Sequence, residues 1–383
     1  MLLYIASFII FLFVSFNLFF RTDLSAAARV AGCCLVLFAS LKYEIYQFVG
    51  GAFFAPQLPR AALIFFEALY GALIILFFLL LLWDIYLLGN WLLARAGVPV
   101  PRNLPTGAIR AGLAVLALAL GAWGTWQAIK VPEPRTIEIR LANLPPALDG
   151  LALVQLTDLH IGPILGRDWL AQVVSRVNAL EPDLVLLTGD YIDGYASELA
   201  SELQPLADLR ARYGVLGSTG NHEYYWNMPE WRKELEDLNI RILDNSHRSF
   251  KINGETIVVA GIPDLNAARF GFDGPDLNAA LRDAPEAVRI LLTHQPKMAR
   301  EYSAQADVML SGHTHGGLMF FLQPLIARFN AGFVSGLYPV NGKNLYVSPG
   351  TGLWNGFSCR IGVPAEITRI ILRSSQNPQQ AAS

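Results

Sequence analysis

The stretch LALVQLTDLH (151–160) decides the fold. A short run of Leu, Val and Ala closes on Thr157, and two polar residues, Asp158 and His160, follow at once. The same order recurs four times: DLVLLTG before Asp190, GVLGSTG before Asn221 and His222, VRILLT before His294, and DVMLSG before His313 and His315. Brief β-branched and leucine-rich runs ending in Gly, Ser or Thr read as buried strands rather than helices. Five strands are therefore expected to deliver carboxylate, imidazole and amide groups at one end. A lone His or Asp after a strand is usually a loop residue. Here, however, five of the six histidines in the chain occupy such positions, leaving only His247 as a surface residue. No cysteine joins them, and oxygen and nitrogen donors of this kind suit hard-to-borderline divalent ions.

Taken in order, TDLH (157–160), GDYID (189–193), GNHE (220–223), the isolated His294 and GHTHGG (312–317) resemble the calcineurin-like metallophosphoesterases. SGLY (335–338) and LYVSPG (345–350) are similar to the membrane-associated bacterial branch of that family. The resemblance covers roughly residues 151–372 and implies an α/β domain of two facing mixed β-sheets flanked by helices. It also implies two divalent ions, of which Mn, Fe, Zn, Mg and Co are all admitted by such donors. Carried over position by position, Asp158, His160, Asp190 and His315 would hold the first ion, and Asp190, Asn221, His294 and His313 the second. Asp190 would be shared between them. His222 would act on the phosphate as acid or charge stabiliser, with Asp193 orienting it.

Composition separates the chain into two parts. Hydrophobic residues make up 53% and charged ones 16%, but up to Ala142 there are ten Lys or Arg against six Asp or Glu, and from Asn143 nineteen against twenty-five. A net of −6 on the second part disfavours a nucleic-acid partner and hence a nuclease, since phosphate backbones call for a basic surface. A transporter or receptor with a merely ligand-sensing soluble part is the reading from another class, and the full ligand set argues against it. Cys33, Cys34 and Cys359 imply no disulfide framework, and the compartment excludes none.

The first part reads as a four-helix transmembrane region. About 20 apolar residues cross a bilayer core, and four such stretches are expected, at about 1–20, 26–46, 61–88 and 109–128. No basic region precedes the first and no small-residue cleavage pattern follows it, so it reads as a retained helix rather than a signal peptide. Glu67 is a carboxylate inside the third stretch, where such a group must be paired or face water. Basic residues (Arg21 and Arg29; Lys42 and Arg60; Arg95, Arg102 and Arg110) favour the first and third loops in the cytoplasm of a bacterial inner-membrane protein, with the soluble domain outside, while Lys130, Arg135 and Arg140 after the fourth stretch argue the other way. The expected divisions are 1–130 for transmembrane helices, 131–142 for a linker and first strand, 143–373 for the phosphoesterase domain and 374–383 for a disordered tail.

Helices are expected at 168–180, 197–213 and 229–239, and strands at 136–141, 256–262 and 366–372. After the last histidine pair, residues 318–340 are unusually apolar for a loop beside a polar site. That surface suggests contact with the bilayer and a lipid-linked phosphate ester as substrate.

Overall fold

A computed structural model describes residues 2–101, 103–354 and 356–375; most of the expected tail, 376–383, lies outside the described residues. The chain divides into two compact units, Met1–Gln127 with Gly356–Cys359, and Ala128–Asn355 with Arg360–Ser383.

The second unit contains two six-stranded sheets. The strands in chain order are β1 (Pro134–Leu141), β2 (Ala152–Leu156), β3 (Leu184–Thr188), β4 (Val215–Ser218), β5 (Ile240–Ile242), β6 (Ser246–Ile252), β7 (Glu255–Gly261), β8 (Val288–Leu292), β9 (Val308–Ser311), β10 (Gly336–Val340), β11 (Lys343–Val347) and β12 (Ile367–Ser374). One sheet runs β1-β12-β2-β3-β4-β5 and the other β10-β11-β9-β8-β7-β6. In the first, β2 to β5 are parallel and β12 enters antiparallel to β2. In the second, β7, β8, β9 and β11 are parallel and the edges β6 and β10 antiparallel. Each sheet is thus mixed.

Every residue of β2 and β3 is buried. This is why their sequences run nearly unbroken in apolar residues, as strands covered on both faces must. The core between the sheets joins Leu153, Leu184 and Leu186 of the first to Val259, Ile290, Leu292, Val308 and Leu310 of the second. Gln155 is the polar exception in β2. Its amide donates to Thr188 Oγ1 of β3 (2.9 Å) and to the Ser311 carbonyl of β9 (3.0 Å), so it pins the two sheets together at the end where the polar clusters emerge.

Two expected elements differ. The stretch 197–213 is a single α-turn, Ala196–Leu199, followed by a 3-10 run, Ala200–Asp208. Pro205 lies inside that run and has no N–H to continue an α-helical ladder. Residues 318–340 are more ordered than a loop: a 3-10 turn Phe320–Leu322 runs into a helix Gln323–Phe329, and β10 follows.

The first unit is helical: α1 (Leu2–Ser15), continued by a π-turn Phe16–Phe20, then α2 (Ala26–Ser40), α3 (Lys42–Val49), α4 (Arg60–Arg95) and α5 (Thr106–Ile129). Among the described residues three helices are long and apolar enough to cross a membrane, Leu3–Phe20, Arg60–Arg95 and Thr106–Ile129. The second expected span is not one helix. It breaks at Leu41 and bends by 61°, which would make a fourth span only if the bent pair is counted as one. The break places Lys42 in the interior rather than in a loop: its Nζ lies 2.6 Å from Glu67 Oε1 and 3.2 Å from the Gly356 carbonyl, with no exposed side-chain area on either charged partner. Tyr46 and the Ser358 amide complete the bonds to Glu67, both at 2.9 Å. A buried charge of each sign is thereby satisfied within this unit, as low-dielectric surroundings demand.

Candidate metal centre

The polar residues after β2, β3, β4, β8 and β9 converge at one edge of the two sheets. Asp158, His160 and His315 bring ligand atoms within 4.8 Å of one another; so do Asp190, His294 and His313, and so do His160, Asp193 and His222. The Asp190 carboxylate stands between them. Its Oδ2 is 3.1 Å from His294 Nε2, 3.6 Å from His160 Nε2 and 3.9 Å from His222 Nε2. Asp158 Oδ1 is 3.4 Å from His315 Nε2 and 4.0 Å from His160 Nε2.

The backbone reaches this geometry through unusual turns. Asp158, His160, Asp190, His313 and His315 all have positive φ, between 46° and 69°. Non-glycine residues seldom adopt this region, and they cluster there at functional sites. Close packing fixes the rest. A Cβ on Gly220 would strike Asp190 Oδ1, and one on Gly312 would strike Asp158 Oδ2 and Thr157 Oγ1. The carboxylates are also held by amides: His222 N donates to Asp190 Oδ1 (2.9 Å), and His313 N to both oxygens of Asp158 (3.0 and 3.1 Å).

The imidazoles are oriented from behind. Through Nδ1, His294 donates to the Thr188 carbonyl (2.7 Å) and His160 to Asp193 Oδ2 (3.1 Å), so each turns Nε2 toward the centre. Those nitrogens meet His313 Nδ1 and His315 Nε2, both at 3.2 Å. The other oxygen of Asp193 accepts from His222 Nδ1. One buried carboxylate thus orients both His160 and His222, where the sequence pattern had suggested His222 alone.

Electrostatics follow from crowding charge in a dry site. Burial would raise the Asp193 carboxyl, but the imidazoles of His160 and His222 hold it at about 2. Burial lowers His222, yet the carboxylates of Asp193 and Asp190 lift it to about 9. For Asp190, burial is outweighed by His294 and His222 and the group lies well below the ordinary range; Asp158 is raised by burial, with Asp190 adding to it. Burial, with His294 beside it, depresses His313 to about 3.

These residues fit divalent ions on their own evidence. The centre packs Asp158, Asp190 and Asp193 with almost no exposed area, and buried carboxylates require compensating positive charge. Asn221 Oδ1 is a buried acceptor with no hydrogen-bond partner in the structure. No sulfur is present, so oxygen- and nitrogen-preferring ions are the match.

Two residues take roles that the sequence does not assign them: Glu223, expected with the aromatic residues 224–226 beside the substrate path, and Arg360. Glu223 is a backbone clamp, its carboxylate accepting from Asp190 N (3.1 Å), Tyr191 N (2.8 Å) and Gly220 N (2.6 Å). Burial, then the Asp190 charge, raises it to about 7. Arg360 is almost fully buried and, among the described residues, donates to carbonyls, those of Gly352 (2.8 Å), Pro349 (2.9 Å), His315 (3.3 Å) and Val363 (3.4 Å). A single arginine in the otherwise apolar stretch GFSCRIGV was the available signal. Of the aromatic run after Glu223, Tyr224 is buried and bonded to Thr219, whereas Tyr225 is 39% exposed with its ring 5.1 Å from that of His222.

Residues 151–317 match the calcineurin-like phosphoesterase family. The chain belongs to the calcineurin-like metallophosphoesterases and, as such, is a metal-dependent hydrolase of phosphoric esters. It is similar to a transmembrane protein with metallophosphoesterase domain from Danio rerio, 36% identical over 327 residues, covering 82% of this chain and 74% of that one. A protein of the same description from Bos taurus is 38% identical over 283 residues, 70% of this chain and 63% of its own. An uncharacterized metallophosphoesterase of Campylobacter jejuni is 35% identical over 312 residues, 80% of each chain.

Proposed function

We propose that the protein is a membrane-anchored phosphoesterase that works with two divalent ions and cleaves a phosphate monoester, diester or pyrophosphate bond of a lipid-linked substrate. One observation carries the two-ion reading: a single oxygen of Asp190 faces His294 on one side and His160 on the other, the placement a shared ligand needs. Asp158, His160, Asp190 and His315 would hold one ion, and Asp190, Asn221, His294 and His313 the other. Such ions, when bound, acidify a water molecule and offset negative charge on the phosphoryl oxygens. His222 carries the proton for the departing oxygen, delivered from Nε2 while Asp193 holds Nδ1.

The rim of the centre supports an apolar substrate. Tyr225 presents an exposed ring beside His222, and the exposed rings of Phe270 and Phe272 pack on this aromatic run, Phe270 5.7 Å from Tyr225 and Phe272 5.5 Å from Tyr224. Gln323 Nε2 donates to the Gly316 carbonyl (3.0 Å), seating the helix Gln323–Phe329 against the histidine loop while Phe320, Leu325 and Phe329 stay exposed. Apolar area in this amount beside a polar centre marks a partner or a membrane. A multi-pass arrangement in the bacterial inner membrane, four spans with the bent pair counted as one and the phosphoesterase unit extracytoplasmic, accords with the basic residues of the first and third loops. With Lys42 buried, only Arg60 remains to the second loop.

The test is hydrolysis by the detergent-purified chain of a chromogenic phosphodiester and of a phosphorylated lipid, each with Mn²⁺ and with chelator. Metal-dependent turnover that favours the lipid is expected. No turnover on either substrate with metal present would sink the assignment, and equal turnover would sink the lipid part alone.

A further inference from the structure

We propose that the helical unit binds one molecule of an anionic phospholipid, its acyl chain in a groove between the helices and its phosphate at a cluster of three arginines. The groove, of about 440 Å³, is lined only by apolar residues from the π-turn after α1 and from α2, α4 and α5, among them Leu18, Gly32, Leu35, Leu69, Ala72 and Ala114. Leu35, on its wall, is 70% exposed, so a chain can enter sideways from the bilayer.

The arginines stand at one end of this groove. Arg29 precedes Gly32 by three residues and Arg110 precedes Ala114 by four, spacings that put each pair on one helix face. Arg21 follows Leu18 by three. They converge on one another as well. Arg21 Nη1 is 2.7 Å and Arg110 Nη2 4.0 Å from the same Asp84 Oδ1, Arg110 Nη1 reaches the Arg21 carbonyl, and Arg29 Nη2 reaches that of Thr22. One carboxylate therefore faces two guanidinium groups, those of Arg21 and Arg110, with the third held at the neighbouring Thr22 carbonyl and Asp23 exposed in the same connection.

Two donors in this cluster are unspent. Arg29 Nε and Arg110 Nε are buried and have no hydrogen-bond partner in the structure. Leaving such groups unpaired costs free energy, and guanidinium donors match phosphate oxygens in geometry as well as charge. Excess positive charge, unpaired donors and an apolar groove one helical turn away together describe a ligand with a phosphate head and an acyl tail. The proposal rests on these helices lying in a bilayer and is independent of the metal centre.

The test is native mass spectrometry of the full chain in detergent, offered phosphatidylglycerol, phosphatidylcholine with the same acyl chains, or glycerol phosphate alone. Retention of one phosphatidylglycerol, about tenfold in preference to phosphatidylcholine, is expected, with no retention of the free headgroup. Arg29→Gln removes one charge, and Ala114→Phe fills the groove next to the cluster; each should lower retention about fivefold. Loss in the Gln variant alone would mean general attraction of anionic lipid to a basic surface and would overturn the groove. Equal retention of phosphatidylcholine, or retention untouched by both changes, would overturn the proposal entirely. Circular dichroism of both variants checks that the helices persist.

Discussion

Asp193 touches two imidazoles, and its replacement should therefore have two separable effects. Asp193→Asn is expected to weaken metal retention about 10- to 100-fold through His160, as loss of a group behind a ligand typically does, and to slow turnover further through His222. His222→Ala should lower turnover about 10²- to 10⁴-fold while metal content stays near the wild-type value. Asp190→Asn should lose metal and turnover together. Metal analysis beside steady-state kinetics distinguishes the three; equal metal loss in the His222 and Asp190 variants would refute the assigned roles. Arg360 predicts a stability effect. Arg360→Ala leaves four carbonyls without their donor and should lower unfolding free energy by about 3 kcal/mol in chemical denaturation. The identities of the central side chains were legible because each ends an apolar run. The second bond of Asp193 was not, since it joins residues 33 positions apart on different loops. Positive φ at five of the candidate ligands is likewise written in packing and hydrogen bonding, not in residue type.

At the level of elements, the parallel strands were legible because burial on both faces leaves only apolar residues to choose from. Their division between two sheets was not, for strand runs of this kind carry no label for a neighbour. The second expected span shows a different limit. The helix breaks at Leu41, and Lys42 just beyond it is buried by a tertiary pairing with Glu67, a residue 25 positions on, which local hydropathy does not record. Lys42→Met should consequently be costly, by about 3–5 kcal/mol, because it strands a buried carboxylate. Lys42→Met combined with Glu67→Met should recover most of that loss. Thermal unfolding of the detergent-solubilised protein reads both, and a double variant no better than the single one would show that the pair does not act as a unit.

Considered whole, the phosphoesterase unit joins its sheets through the centre: Asp158, His160, Asp190, Asn221 and His222 follow strands of one sheet, and His294, His313 and His315 follow strands of the other. Ions bound there would bridge the two layers and stabilise only the folded arrangement. At a free-ion concentration 1,000 times Kd the gain is about 4 kcal/mol, so stripping the metal should lower the unfolding temperature of this unit reversibly, restored when Mn²⁺ is returned. An unfolding temperature indifferent to chelator would argue against ions spanning the sheets. Scarcity of the ion then acts on the amount of enzyme as well as its speed. Molecules starved of it would open more often along the seam, and proteases would clear them first, making ion supply a control on how long each copy survives.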